Sequence, residues 1–149
     1  THANKQGRVA GSVIGGRPAR FAGVLGTAMT KVGDLEVART GLCTTQAEDG
    51  GYDFRTELIE SSTRAGYYPG AAPIAIKLIT ERGSGLLLGA QVVGGAGSGK
   101  RIDVLATAIW AGMTAEQLAG SVLSYARPFS PTYDPVRVAA RVASGFVPG

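Results

Sequence analysis

Hydrophobic and polar positions along the chain predict a strand-rich part followed by a helical part. The strand-like runs, rich in Val, Ile, Leu and Thr, lie at 25–32, 35–42, 54–60, 74–81 and 86–94. Gly33-Asp34 separates the first two runs and predicts a hairpin, and the short connections favour an antiparallel sheet. The run at 86–94 is almost wholly apolar, so we expect it in the middle of the sheet with both faces covered.

After residue 95 the apolar residues take up helical spacing. The spacing over residues 99–111 predicts an amphipathic helix. A capping box of Thr114 and Gln117 predicts a second helix at 115–119. Asp134-Pro135 predicts the start of a third helix, which runs to about residue 143. Lys100, Arg101 and Asp103 are expected to cap and solvate the first of these helices. The order of strands and helices predicts an α+β fold.

Residues 1–16 form a separate segment with helical spacing. Ala10, Val13 and Ile14 lie on one stripe, Asn4 is a candidate cap, and Gly15-Gly16 is expected to end the helix. We therefore divide the chain into a terminal helix at 1–16, which looks like the end of another domain, and a main domain at 17–149.

Composition excludes several kinds of chemistry. The net charge of +4 is scattered along 149 residues, which argues against a nucleic-acid partner. The chain has one cysteine, Cys43, and one histidine, His2, so a dithiol pair, a Ser-His-Asp triad and a metal site are not expected. No apolar run reaches membrane-spanning length and the first residues lack a signal sequence, which predicts a cytoplasmic protein.

The segment VVGGAGSGKR matches most of a phosphate-binding loop. Gly94 is followed by four residues and then by Gly99-Lys100, between a predicted strand and a predicted helix. Arg101, however, stands where such loops need a hydroxyl for magnesium, and the preceding strands are predicted to be antiparallel. A glycine-rich turn is therefore the preferred interpretation.

Five segments in this order resemble the C-terminal third of class I pyridine nucleotide–disulfide oxidoreductases. They are ANKQGRVAG (3–11), GVLGTAMTKVGDLEVARTGL (23–42), AGYYPGAAP (65–73), GKRIDVLATAIWAGMT (99–114) and SYARPFSP (124–131). The resemblance is strongest to the coenzyme A-disulfide reductase and NADH oxidase/peroxidase branch, since the C-terminal histidine of the glutathione reductase branch is absent.

This resemblance implies a dimerisation domain with an antiparallel sheet of about five strands flanked by helices. FAD and NAD(P)H are then expected in the full-length enzyme, on domains of the same chain that are missing here, and the terminal helix at 1–16 is expected to be the end of the FAD domain. No cofactor is expected on this segment, which should be inactive alone. The implied partner is a second copy, in a homodimer that completes the partner subunit's active site. The substrate stays open among coenzyme A disulfide, another disulfide, oxygen and peroxide. A freestanding interaction or ligand-binding module is the alternative.

The resemblance also names candidate site residues. Tyr67 and Tyr125 are implied to act as catalytic groups at the partner's flavin and redox cysteine, where a phenol can hydrogen-bond to a thiolate or donate a proton. Tyr67 is preferred over Tyr68 for this role, but which of the two faces the active site stays open. Asn4 and Lys5 are implied to contact the flavin. Substrate contacts are expected from Tyr68, Arg127 and Tyr133, although plain surface or packing roles are the more common explanation for residues of this kind.

Two positions depart from the family pattern. Gly33 stands where an aromatic residue is usual, and Arg127 stands where a second proline is usual. The second departure lies close to Tyr125 and leaves the substrate open.

Overall fold

A computed structural model describes residues 2–145 and contains one five-stranded antiparallel sheet. The strands are β1 (Ala28–Val32), β2 (Leu35–Gly41), β3 (Phe54–Ser62), β4 (Pro73–Glu81) and β5 (Leu87–Gly94). Their order across the sheet is β1-β2-β5-β4-β3, and each neighbouring pair is antiparallel. The predicted α+β class and sheet are confirmed.

The β1–β2 hairpin turns at the predicted position. Val32 pairs with Leu35 across Gly33-Asp34. Gly33 has a φ of 58°, a left-handed conformation that favours glycine in a two-residue turn. The usual aromatic of the family would be strained here, so the glycine fits the turn that this chain makes.

Strand β5 lies in the middle of the sheet, as predicted, but only one of its faces is fully covered. Ala90 and Val92 on that face are completely buried. On the opposite face Val93 is 36% exposed, so the expectation of two covered faces is wrong. The helices pack mainly on one side, which leaves part of the other side of the sheet open.

The helices are α1 (His2–Ile14), α2 (Thr44–Asp49), α3 (Ile102–Trp110), α4 (Ala115–Ala119) and α5 (Pro135–Ala143), and a 3-10 turn at Gly99–Arg101 leads into α3. Helix α4 begins with the predicted capping box, in which Thr114 Oγ1 accepts from the Gln117 amide at 3.2 Å. Helix α5 begins at Pro135, and Asp134 accepts from the Val136 amide at 2.9 Å. No helix within residues 2–145 is long and apolar enough to cross a membrane.

The core lies between the sheet and α3, α4 and α5. Helix α3 packs on β2 and β5, and α5 packs on β3 and β4. Ile102, Leu105 and Ala108 of α3 are buried in this core. Most apolar side chains of β5 and α3 therefore pack within the domain.

Helix α1 stands apart from the core. It buries none of its side chains and ends at Ile14, before Gly15-Gly16 as predicted. It begins at His2, so Asn4 lies inside the helix, and the expectation that Asn4 caps it is wrong. Lys5 of α1 contacts Trp110 of α3, since its Nζ lies 5.9 Å from the centre of the Trp110 ring.

Candidate functional site

The predicted catalytic tyrosines lie on two loops, each of which joins two elements of the domain. Tyr67 and Tyr68 lie in the loop at 63–72, between β3 and β4, which we call the first tyrosine loop. Tyr125 and Arg127 lie in the loop at 120–134, between α4 and α5, which we call the second tyrosine loop.

The first tyrosine loop is closed at its base by two hydrogen bonds between Thr63 and Ala72. The Thr63 amide donates to the Ala72 carbonyl at 2.8 Å, and the Ala72 amide donates to Thr63 Oγ1 at 3.1 Å. A tight turn follows, in which the Tyr68 amide donates to the Ala65 carbonyl at 2.8 Å. Tyr67 is 73% exposed at the tip, and Tyr68 is half-buried beside it. Of this pair, Tyr67 is the one presented to solvent.

The second tyrosine loop exposes several large apolar side chains. Val122 is 96% exposed, Tyr125 is 51% exposed and Phe129 is 77% exposed. Its backbone is folded by a turn in which the Phe129 and Ser130 amides donate to the Ala126 carbonyl at 2.9 and 3.1 Å. Arg127 is exposed within this turn. The loop is thus ordered by hydrogen bonds while its apolar side chains face outward.

Arg101 joins the two tyrosine loops. Its Nη2 donates to the Thr63 carbonyl at 2.8 Å and to the Phe129 carbonyl at 3.0 Å. Its Nη1 donates to the Gly97 carbonyl at 3.0 Å, and its Nε pairs with Asp134 Oδ2 at 3.1 Å. The Arg101 and Asp134 side chains are only 10% and 13% exposed. Arg101 does occupy the N-cap position of α3, but its side chain makes no cap hydrogen bond and is buried, so the expectation that it solvates the helix is wrong. Lys100 and Asp103 do form an exposed ion pair at the start of the helix.

The glycine-rich turn before α3 does not fit a phosphate group. The Gly99 amide, which a phosphate would need, donates instead to Glu36 Oε2 at 2.7 Å. A carboxylate here repels an anion and occupies the donor. The strand that leads into the turn is antiparallel to both neighbours, as expected. The turn therefore packs the start of α3 against β2 and offers no cradle for the pyrophosphate of a dinucleotide.

The remaining predicted residues lie outside the pair of loops or at their edge. Tyr133 is 60% exposed at the end of the second tyrosine loop, and the Arg141 guanidinium lies 5.7 Å from its ring centre. Asn4 is exposed on α1. Lys5 contacts Trp110, the last residue of α3, whereas Arg101 directly precedes the first residue of α3. The predicted flavin contacts and the tyrosine loops are thus attached at opposite ends of α3.

Comparison with known proteins identifies the family. Residues 27–136 match the model of the pyridine nucleotide-disulphide oxidoreductase dimerisation domain. This chain belongs to that family. The dimerisation-domain hypothesis is thereby confirmed, and membership of the family implies FAD and NAD(P)H in the full-length enzymes.

Similar proteins support the predicted branch of the family. The chain is 47% identical, over 139 residues, to the NAD(P)H coenzyme A polysulfide/persulfide reductase of Pyrococcus horikoshii; the match covers 93% of this chain and 31% of that protein. It is 40% identical, over 143 residues, to an NADH oxidase of Methanocaldococcus jannaschii, with 96% and 32% covered. The solved NAD-dependent persulfide reductase of A. fulgidus superposes with a TM-score of 0.89 at 50% identity, over 96% of this chain and 27% of the other. This dimerisation domain therefore spans about a third of the length of the relatives it matches.

The link between the two tyrosine loops of the dimerisation domain was missed from the sequence. Arg101 and Asp134 are 33 residues apart, and neither shows a spacing that would pair them. Asp134 was correctly predicted as the start of α5, but one carboxylate both caps that helix and holds Arg101. The sequence signal nearest to this role was the basic pair after the glycine-rich turn, which also resembles a phosphate-binding loop.

Proposed function

We propose that this chain is the dimerisation domain of an FAD-dependent NAD(P)H:disulfide oxidoreductase, or of a relative that reduces oxygen or peroxide, and that it completes the active site of a partner subunit. Family membership supports the dimerisation role. The relatives named for coenzyme A persulfide and for NADH oxidation support the two substrate classes. Cytoplasmic localisation stays a prediction.

The observation that carries the proposal is the exposed apolar surface of the second tyrosine loop. Val122, Tyr125 and Phe129 are each more than half exposed on a loop whose backbone is held by hydrogen bonds. Exposed apolar residues that cluster in this way mark an interaction surface. A second copy related by two-fold symmetry would use the same surface on both subunits, so both tyrosine loops would lie beside the partner.

Tyr67 and Tyr125 would supply the catalytic groups of this surface. Each carries a phenol hydroxyl on an exposed side chain, and a phenol can donate a hydrogen bond to a thiolate or supply a proton. The chemistry that FAD supplies in the full-length enzyme is electron transfer from NAD(P)H. The role of these tyrosines is to stabilise the thiolate that such a transfer leaves on the partner's redox cysteine.

Three further residues would bind the substrate. Arg127 is exposed within two residues of Tyr125 and suits the phosphates of coenzyme A, because a guanidinium binds phosphate oxygens with paired donors. Tyr68 lies in the first tyrosine loop and Tyr133 at the end of the second, and both would contact the rest of such a substrate.

Asn4 and Lys5 would contact a flavin held elsewhere in the enzyme. Both lie exposed in the first turns of α1, where the helix dipole favours negative charge. Residues 2–145 do not themselves cradle a dinucleotide at the glycine-rich turn. The 149-residue chain alone should therefore bind neither FAD nor NADH tightly, and a purified chain with stoichiometric flavin absorbance would overturn this part of the proposal.

The role of Tyr125 is tested by Tyr125→Phe in an enzyme that contains this chain together with its FAD and NAD(P)H domains. Loss of one catalytic hydroxyl should lower kcat at least about tenfold, and the dimer should persist because no packing volume is removed. Turnover is measured with coenzyme A disulfide, oxygen and peroxide, and the dimer by light scattering.

The matched control for this substitution is Tyr52→Phe. Tyr52 is a similarly exposed tyrosine, 44% exposed, that follows α2 and lies outside both tyrosine loops. Its substitution should leave kcat unchanged. If Tyr125→Phe turns over every substrate as fast as Tyr52→Phe, Tyr125 has no catalytic role.

A further inference from the structure

We infer that Arg101, held by Asp134, is a positioning residue that fixes the two tyrosine loops relative to each other, so that Tyr67 and Tyr125 are presented as one unit. The inference deepens the proposed function and rests on it for its catalytic meaning. Its structural content, that one side chain couples the two loops, does not depend on any activity.

The guanidinium reaches four separate segments of the chain. Its acceptors are the carbonyls of Gly97, Thr63 and Phe129 and the carboxylate of Asp134. A guanidinium has five donors in a fixed planar fork, so acceptors that bind it are held at fixed angles to one another. The four segments are therefore oriented by one rigid group.

Two of these acceptors, the carbonyls of Thr63 and Phe129, belong to the loops that carry Tyr67 and Tyr125. Thr63 forms the closed base of the first tyrosine loop, four positions before Tyr67. Phe129 belongs to the turn on Ala126, the residue after Tyr125. Because one guanidinium holds both carbonyls, the two loops are fixed in position relative to each other. The side chains of Tyr67 and Tyr125 nevertheless stay exposed.

Asp134 fixes the guanidinium in turn. One of its carboxylate oxygens, Oδ2, accepts from Arg101 Nε and from Ser130 Oγ at 3.1 Å, and the other, Oδ1, caps α5. Because α5 packs on β3 and β4, the carboxylate is anchored to the core. The chain of contacts thus runs from the core through Asp134 and Arg101 to both loops.

Lysine cannot replace this arrangement. Its ammonium is a single point with three donors, so it can pair with Asp134 but cannot also span carbonyls on two loops. Arg101→Lys therefore keeps the charge and removes the coupling.

The test measures amide hydrogen exchange by NMR in the 149-residue chain. The amides of Tyr68 and Ala72 report on the first tyrosine loop, and those of Phe129 and Ser130 report on the second, since all four donate to acceptors within their own loop. In Arg101→Lys we expect exchange at all four amides to accelerate at least about tenfold while amides between β4 and β5 keep their protection. The ring resonances of Tyr67 and Tyr125 should shift together.

Arg82→Lys is the matched control. Arg82 also pairs through Nε with a carboxylate, Asp53 Oδ1 at 3.1 Å, but the two side chains are 58% and 80% exposed. This variant should leave all four loop amides unchanged. Asp134→Asn, which keeps a capping oxygen but removes the charge, should reproduce the coupled acceleration and serves as the second variant if Arg101→Lys does not fold.

Acceleration in only one loop, in neither loop, or uniformly across the sheet overturns the inference, the last because it marks general destabilisation. The proposed function fails separately, if Tyr125→Phe leaves kcat unchanged while the two loops still respond together. If both ideas hold, Arg101→Lys in the complete enzyme should lower kcat at least about tenfold with little change in KM.

Discussion

At the scale of single residues, Gly89 shows how tightly β5 packs against the connection between β2 and α2. A Cβ atom on Gly89 would overlap the carbonyl oxygen of Leu42, whose amide donates to the Leu88 carbonyl at 3.0 Å. The atoms that would have to move belong to the backbone, so the strain cannot be relieved by a change of rotamer.

Gly89→Ala should lower the free energy of unfolding by about 3 kcal/mol, because the new methyl group forces the two backbone segments apart. Urea denaturation measures this change. Gly7→Ala is the control, since Gly7 lies on exposed α1 and a methyl group added there would have nothing within 4 Å; it should alter stability by less than about 1 kcal/mol. Equal stability of the two variants would show that the contact with Leu42 yields without strain.

The difference between predicted and observed roles is greatest for Arg101. Its sequence context, next to Lys100 and after a glycine-rich turn, predicts a solvated helix start or a phosphate contact. The structure instead buries it against three carbonyls and a carboxylate. Every residue has a backbone carbonyl, so residue types do not show which carbonyls a buried arginine binds. Sequence patterns therefore cannot reveal these partners of Arg101.

At the scale of elements, the N-caps of α4 and α5 determine where each of these two helices begins. Thr114 and Gln117 satisfy each other's backbone amides in a capping box. This local arrangement is readable from sequence because all its partners lie within one helical turn.

Thr114→Ala should therefore lower the free energy of unfolding by about 1 kcal/mol, the usual cost of a lost N-cap. Thr107→Ala is the control. Thr107 Oγ1 donates at 2.8 Å to the Asp103 carbonyl, which lies one turn earlier within α3, and a bond of this kind contributes little to helix stability. Thermal and urea unfolding should place Thr107→Ala within about 0.5 kcal/mol of the unchanged chain. A larger loss for Thr107→Ala than for Thr114→Ala would contradict the assigned cap.

Most helices and strands were predictable because the spacing of apolar residues, the turn residues and the helix caps are all signals between residues close together in the sequence. The five strands, the hairpin at Gly33-Asp34 and the helix starts at Thr114 and Asp134 follow from such signals. The partly open face of β5 was not predictable, since burial of a strand face depends on where helices pack. The tyrosine loops were named through family resemblance, and residue pattern alone would have left them as connections.

At the scale of the whole molecule, two of the exposed apolar areas within residues 2–145 are compared as sites for a second copy. One is the sheet surface, made of Val32, Leu35, Leu58 and Val93 on the open face of the sheet. The other is the loop surface, made of Val122, Tyr125 and Phe129 on the second tyrosine loop. The proposed function requires that a second copy cover the loop surface, because that is where the tyrosines can reach a partner's active site.

Sedimentation equilibrium of the 149-residue chain tests this central claim most directly, with one exposed apolar residue of each surface changed to glutamate. Phe129→Glu and Leu58→Glu both place a charge at a site more than 60% exposed, so neither should unfold the chain. We predict a dimer at micromolar concentration for the unchanged chain and for Leu58→Glu, and at least about tenfold weaker association for Phe129→Glu, or about 1.4 kcal/mol. A Phe129→Glu chain that dimerises as tightly as the unchanged chain would contradict the account.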